Sequence, residues 1–245
     1  MKRILASLTL FLAPLYGFAG HHEEPPIGYV LTQTIKSDNV PETLMAAAKF
    51  LQSGALAKRG VGMGLYSFNA NSGNGATAAI DYYYPNAEAM PPADVITASG
   101  PHVDFFNSMR ELGNEVVAST LMAPVVEVIP NETLGVNKVF YVYYLTVTDA
   151  AAYASSWKAL MAELKQADLA PSSYGLREII AGGENGETHV IWMGFPSMAT
   201  LVTQFKAINA SDMVAEFRAQ AAGMRSVSRT AISSQLAVDT AAMFD

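Results

Sequence analysis

Two hydrophobic periodicities alternate along the chain, and their order outlines the fold. Residues 139–147 are a nearly unbroken run of Val, Tyr, Phe and Leu, the composition of a strand buried on both faces. Thr148 and Asp149 then offer an N-cap, and Tyr153, Trp157, Leu160, Met161 and Leu164 recur at spacings that place them on one helix face. Residues 174–180 and 189–195 return to strand composition. They flank Gly182-Gly183-Glu184-Asn185-Gly186, where Asn-Gly readily takes the positive φ of a hairpin turn. Beyond Pro196, residues 198–208 and 212–222 read as helices, the second carrying Val214, Phe217 and Ala221 on one face, and 224–236 as a last strand.

The first half repeats this order: a strand at 28–35, a helix opening near Pro41, a hairpin around Asn74-Gly75, a helix from about His102 and a strand at 115–129. A shift of 111 residues superposes the halves. In the window 64–85 against 175–196, eight of 22 positions are identical, including Gly64/Gly175, Leu65/Leu176, Gly75/Gly186, Ile80/Ile191 and Pro85/Pro196, where chance gives about two. Each copy therefore reads as a βαββαβ unit, which makes a four-stranded antiparallel sheet with both helices on one face. Ile191, Met193 and Phe195 alternate with Val190, Trp192 and Gly194, so the strand is apolar on both sides. The open face must be buried too, most simply against the other copy.

With this topology and duplication, the chain resembles the dimeric α+β barrel superfamily over residues 28–238, as a tandem version in which one chain supplies both halves. In style it is closest to antibiotic-biosynthesis-monooxygenase-like and stress-response barrel proteins. The resemblance implies an α+β fold in which two ferredoxin-like units pack their sheets into an intramolecular barrel around a small-molecule cavity. The superfamily also includes haem-binding chlorite dismutases, so membership does not fix function.

Composition narrows the compartment and the partners. Lys2-Arg3, the apolar stretch 4–18 and Gly17-Phe18-Ala19 have the form of an export signal cut after Ala19. The expected organisation is a signal at 1–19, a tail at 20–27, repeat 1 at 28–130, a linker at 131–138, repeat 2 at 139–238 and a tail at 239–245. The expected location is periplasmic or secreted, with no membrane span in the mature chain. Removing the signal leaves 13 basic against 22 acidic residues, a formal −9 without a basic stripe, which argues against nucleic acid. Cysteine is absent, which excludes disulfides, thiolate nucleophiles and Cys-ligated zinc or iron–sulfur clusters.

Motifs for hydrolases, kinases, zinc proteases and dinucleotide binding are missing, and no cofactor or metal is called for by any motif. Comparing the copies singles out positions where one half is polar and the other is not. Asp81 stands against Trp192, Ala78 against His189, Tyr66 against Arg177, Ser67 against Glu178 and Ala221 against Arg110. Strand alternation puts Asp81, Tyr83 and Trp192 on one face, assigned to the barrel interior because a carboxylate is ill placed beneath two helices. The candidate ligand-binding set is Asp81, Tyr83, Trp192, Arg177 as the basic partner of Asp81, and His102 at a helix start.

The partner expected is a small apolar or aromatic molecule. Alternatives are a cofactor-independent monooxygenase-like oxidoreductase, a haem-binding barrel, and a module that forms a homo-oligomer through its edge strands. Cleavage after Ala19 would also expose Gly20-His21-His22, whose amine, amides and imidazole suit square-planar Cu(II) or Ni(II).

Overall fold

A computed structural model describes residues 27–71, 73, 75–91, 100–133 and 135–239. The signal, the Gly20-His21-His22 tail, Asn74 of the first hairpin and the extreme C-terminus lie outside the described residues.

Copy 1 comprises β1 (Tyr29–Lys36), α1 (Val40–Gln52), β2 (Gly62–Asn71), β3 (Ala78–Tyr84), α2 (Pro101–Glu111) and β4 (Glu115–Val128). Copy 2 comprises β5 (Val139–Val147), α3 (Ala150–Gln166), β6 (Ser173–Ala181), β7 (His189–Phe195), α4 (Met198–Asn209), α5 (Asp212–Ala221) and β8 (Arg225–Asp239). Capping explains several boundaries. Asn39 and Asp149, equivalent residues after the first strand of each copy, accept hydrogen bonds from the Glu42 and Ala152 amides, and Ser197 and Ser211 cap α4 and α5. At the second hairpin Asn185 and Gly186 both have positive φ, 52° and 75°, as the sequence predicts.

The eight strands close into an antiparallel barrel in the order β1-β3-β2-β8-β5-β7-β6-β4. The fold is α+β with five described helices outside the barrel. Two long strands make the closure. β4 pairs with β1 through its first half and with β6 of copy 2 through its second, while β8 joins β5 to β2. Every strand thus has two neighbours, so the described barrel has no free edge strand.

Pairing also corrects the repeat offset. Thr32 lies opposite Asp81 and Val142 opposite Trp192, so first-strand equivalents stand 110 residues apart and only the later ones 111.

Three apolar clusters follow from strand alternation. Copy 2 packs Tyr153, Trp157, Leu160, Met161 and Leu164 of α3 against the outer sheet face, and copy 1 does the same with Ala47 and Phe50 of α1. The third cluster, with Val30, Tyr83, Met122, Tyr144 and Val190, lies inside the barrel. No helix among the described residues is long and apolar enough to cross a membrane.

Candidate functional site

Inward-facing residues of the strands enclose a cavity with about 1030 Å³ of empty space, its mouth included. Thr32, Tyr66, Asp81, Tyr83, Arg177 and Trp192 are among its walls, with Phe140, Val142 and Tyr144 from β5. Ile27, Ile129, Thr133, Gly135 and Asn137, all outside the strands, line one end. Two glycines shared by the copies leave room for large groups inside. A Cβ at Gly64 would sit 2.8 Å from the Tyr66 ring, and one at Gly175 would sit 2.2 Å from Trp192 Nε1 and 2.4 Å from Glu127 Oε2.

Asp81 is at the centre of a hydrogen-bonded chain. Thr32 Oγ1 donates to Oδ1 at 2.7 Å, and the Tyr83 hydroxyl donates to Oδ2 at 3.3 Å. The Tyr66 and Tyr83 hydroxyls are 2.5 Å apart. Because the single hydroxyl proton of Tyr83 goes to Asp81, Tyr66 is the donor in that bond. Burial pushes the Asp81 carboxyl above the usual carboxylate range, partly offset by the Thr32 hydrogen bond and the Arg177 charge. The same desolvation raises both tyrosines, with Asp81 adding to each, so they remain neutral donors.

Arg177 is not the ion-pair partner of Asp81, which corrects the sequence expectation. Its guanidinium is bound in two-pronged fashion by Glu127, through Nη2 to Oε1 and through Nε to Oε2 at 3.3 Å. Trp192 Nε1 donates to the same Glu127 oxygen at 3.2 Å, and the guanidinium lies over the indole, 5.2 Å from its centroid. Burial alone would lower the Arg177 pKa, but the Glu127 charge and hydrogen bonds raise it overall. The physical reason for the exchange of partners is the crossing of β4, which carries Glu127 into the second sheet opposite Gly175, within reach of Arg177.

A second buried pair lies farther along the barrel. Arg229 Nε donates to Glu187 Oε1 at 2.8 Å and Nη2 to Oε2 at 3.2 Å, and the guanidinium rests 3.5 Å above the Tyr144 ring. Desolvation pushes the Tyr144 pKa up to about 12, against the pull of Arg229. Glu184 at the rim is 3.4 Å from Arg229 Nη2.

The structure brings Asp81, Tyr83, Arg177 and Trp192 together, but His102 lies elsewhere. It stands on α2 over the outer face of the first sheet, in a smaller cavity with Arg59, Tyr82 and Phe105, its ring edge-on to Phe50 at 5.0 Å. Burial and the Arg59 charge both lower its pKa. His189 is buried at the start of β7 with Nδ1 2.9 Å from Thr188 Oγ1, and burial lowers its pKa against the opposing effect of Glu178. Among the described residues no histidine lines the barrel cavity. No group of three His, Cys, Asp or Glu among them could hold a metal ion.

This architecture has solved counterparts. A candidate monooxygenase from Lactobacillus acidophilus superposes with a TM-score of 0.58 at 15% identity, covering 86% of this chain and 94% of its own. One from Fusobacterium nucleatum gives 0.59 at 13%, covering 87% and 93%. The fold is the α+β barrel. An anthrone oxidase-like protein shares it, with a TM-score of 0.51 at 12% identity over 88% of this chain and 94% of that one. No family model and no curated protein sequence matches the chain. At such identities the α+β barrel likeness establishes the architecture alone.

Glu127, Arg229, Glu187, Thr32 and the role of Tyr66 escaped the sequence reading. The signal for most of them was the polar-for-apolar exchange that exposed Asp81. By the observed pairing and the 111-residue offset, Glu127 stands where copy 2 has Val238, Arg229 where copy 1 has Ala118, and Glu187 where copy 1 has Ala76. Thr32 against Val142 becomes visible only with the corrected offset of the first strand.

Proposed function

We propose that the barrel interior is a receptor for a small, largely apolar aromatic molecule, in a protein exported to the periplasm or beyond. The observation that carries this reading is the cavity itself, aromatic in its walls and holding one carboxylate group whose oxygens are only half used by protein donors. Trp192, Phe140, Tyr66 and Tyr83 supply ring faces and edges, and Asp81 supplies orientation. Equilibrium dialysis or native mass spectrometry of protein taken from its own compartment tests this: a retained aromatic molecule supports the reading, and its displacement by a cavity-filling Ala79→Leu variant places it in the barrel.

A second reading is favoured by Asp81 specifically. A desolvated carboxylate against a hydrogen-bonded tyrosine pair is suited to take up a proton from a bound ring system, as a cofactor-independent oxidoreductase of the monooxygenase type would require. Two of the structural counterparts are candidate monooxygenases and the third is an anthrone oxidase-like protein, which supports an oxidoreductase reading. Asp81→Asn separates the two: loss of turnover with binding retained favours the enzyme, and unchanged oxygen consumption in all variants favours the receptor.

A further inference from the structure

The charges inside the barrel do not balance. Arg177 is matched by Glu127 and Arg229 by Glu187, both in two-pronged contacts, and Glu184 at the rim adds negative charge beside Arg229. Among the described residues Asp81 has no ion-pair partner. Its oxygens accept one hydrogen bond each, from Thr32 and Tyr83, while a carboxylate offers about four acceptor sites. The remaining sites face a cavity whose walls include Tyr66, Tyr83, Phe140, Tyr144 and Trp192.

We propose that the occupant of this cavity is an aromatic amine in its protonated form, its ammonium group seated against Asp81 and within the ring faces. The inference rests on the receptor reading above and names the class of ligand. Three features support it. An ammonium donates without accepting, which suits a carboxylate whose protein neighbours already donate to it. Aromatic faces attract a desolvated cation through their quadrupoles. A half-buried carboxylate on an aromatic cavity wall, without an ion-pair partner among the described residues, gains from an incoming cation, whereas an anionic ligand would add a second negative charge beside it.

Among the described residues Arg177 is the positive group acting on Asp81, and Glu127 occupies two of its three nitrogens. The groups facing Asp81 are Thr32 from β1, Tyr66 from β2, Tyr83 from β3, Glu127 from β4, Tyr144 from β5 and Arg177 from β6; their net formal charge is zero, and Arg177, held by Glu127, offsets Asp81 only in part. Desolvation raises the Asp81 pKa against the Thr32 hydrogen bond and the Arg177 charge, and a cation bound beside the carboxyl would draw it back down.

The experiment compares 2-(1-naphthyl)ethylamine with its neutral isostere 2-(1-naphthyl)ethanol, by isothermal calorimetry at pH 7 on the full mature chain and on Asp81→Asn. The expected result is that the wild-type protein binds the amine about ten-fold or more tighter than the alcohol. In Asp81→Asn the two should bind within about two-fold of each other. Equal or tighter binding of the alcohol by the wild-type protein overturns the amine proposal and leaves the aromatic receptor standing. Binding of neither probe overturns the receptor reading itself. The wild-type comparison needs no variant, so it decides even if Asp81→Asn folds poorly.

Discussion

Arg177 and Glu127 belong to different copies of the repeat, and they meet because β4 leaves its own sheet to pair with β6. The pair therefore ties the barrel seam, and its Arg177 also lines the cavity. Removing one partner strands the other charge, so Glu127→Gln should cost about 3 to 5 kcal/mol. Replacing both, as Glu127→Leu with Arg177→Met, should recover most of that loss. Urea unfolding of the three proteins checks this, and a single-variant cost below about 1 kcal/mol would show that the pair is not sealed from water.

The outer core of copy 2 rests on Trp157, which is 4% exposed and packs edge-on against Phe217 at 6.1 Å. Trp157→Ala should cost about 3 to 5 kcal/mol, the usual penalty for emptying the site of a large buried ring. Denaturant titration followed by far-ultraviolet dichroism reads it, and a loss under about 1 kcal/mol would mean that α3 packs loosely.

Gly64 and Gly175 differ in what a methyl group would meet. At Gly64 it meets the edge of the Tyr66 ring, but at Gly175 it meets both Trp192 and Glu127, closer than any real contact. Gly175→Ala should therefore be the more damaging, by about 1 to 3 kcal/mol of overpacking, while Gly64→Ala should cost less because one tyrosine ring can turn away. Thermal unfolding of the two variants ranks them, and the reverse order would contradict the interior packing.

Asp81 gives the ligand-free protein a defined pH dependence. Its folded pKa is raised, so the folded state holds this proton more tightly than the unfolded chain. The resulting stability is fully present below the unfolded value of about 3.9 and is lost as pH rises through the folded value. The stability difference between the wild-type protein and Asp81→Asn should therefore move in favour of Asn as pH rises from about 4 toward neutrality. Urea unfolding at a series of pH values measures it, and a difference that does not change with pH would show Asp81 to be well solvated.

How far the sequence revealed this protein depended on whether a residue's neighbours were local. Strand and helix limits near residues 139–195 were legible because composition, N-caps and Asn-Gly act within a few residues. The face carrying Asp81, Tyr83 and Trp192 was legible for the same reason, since alternation along one strand decides it. The partner of Arg177 was not, because it depends on β4 crossing to the other copy, a register set by the closed barrel rather than by any local pattern. His102 was misplaced for a related reason: a helix start has no alternation rule to say which layer it faces, and here it covers the outer surface of the first sheet.

Trp192, on the cavity wall, reports directly on whether the barrel interior takes up a small aromatic molecule. The chain has two tryptophans, so Trp157→Phe leaves Trp192 on the cavity wall as the sole indole. Titrating that variant with 2-(1-naphthyl)ethylamine should quench or shift Trp192 fluorescence saturably, at one equivalent, and the change should be abolished by Ala79→Leu. A Trp192 signal that stays flat through millimolar concentrations of both this amine and 2-(1-naphthyl)ethanol, or one that Ala79→Leu leaves unaltered, would contradict uptake of an aromatic molecule in the barrel.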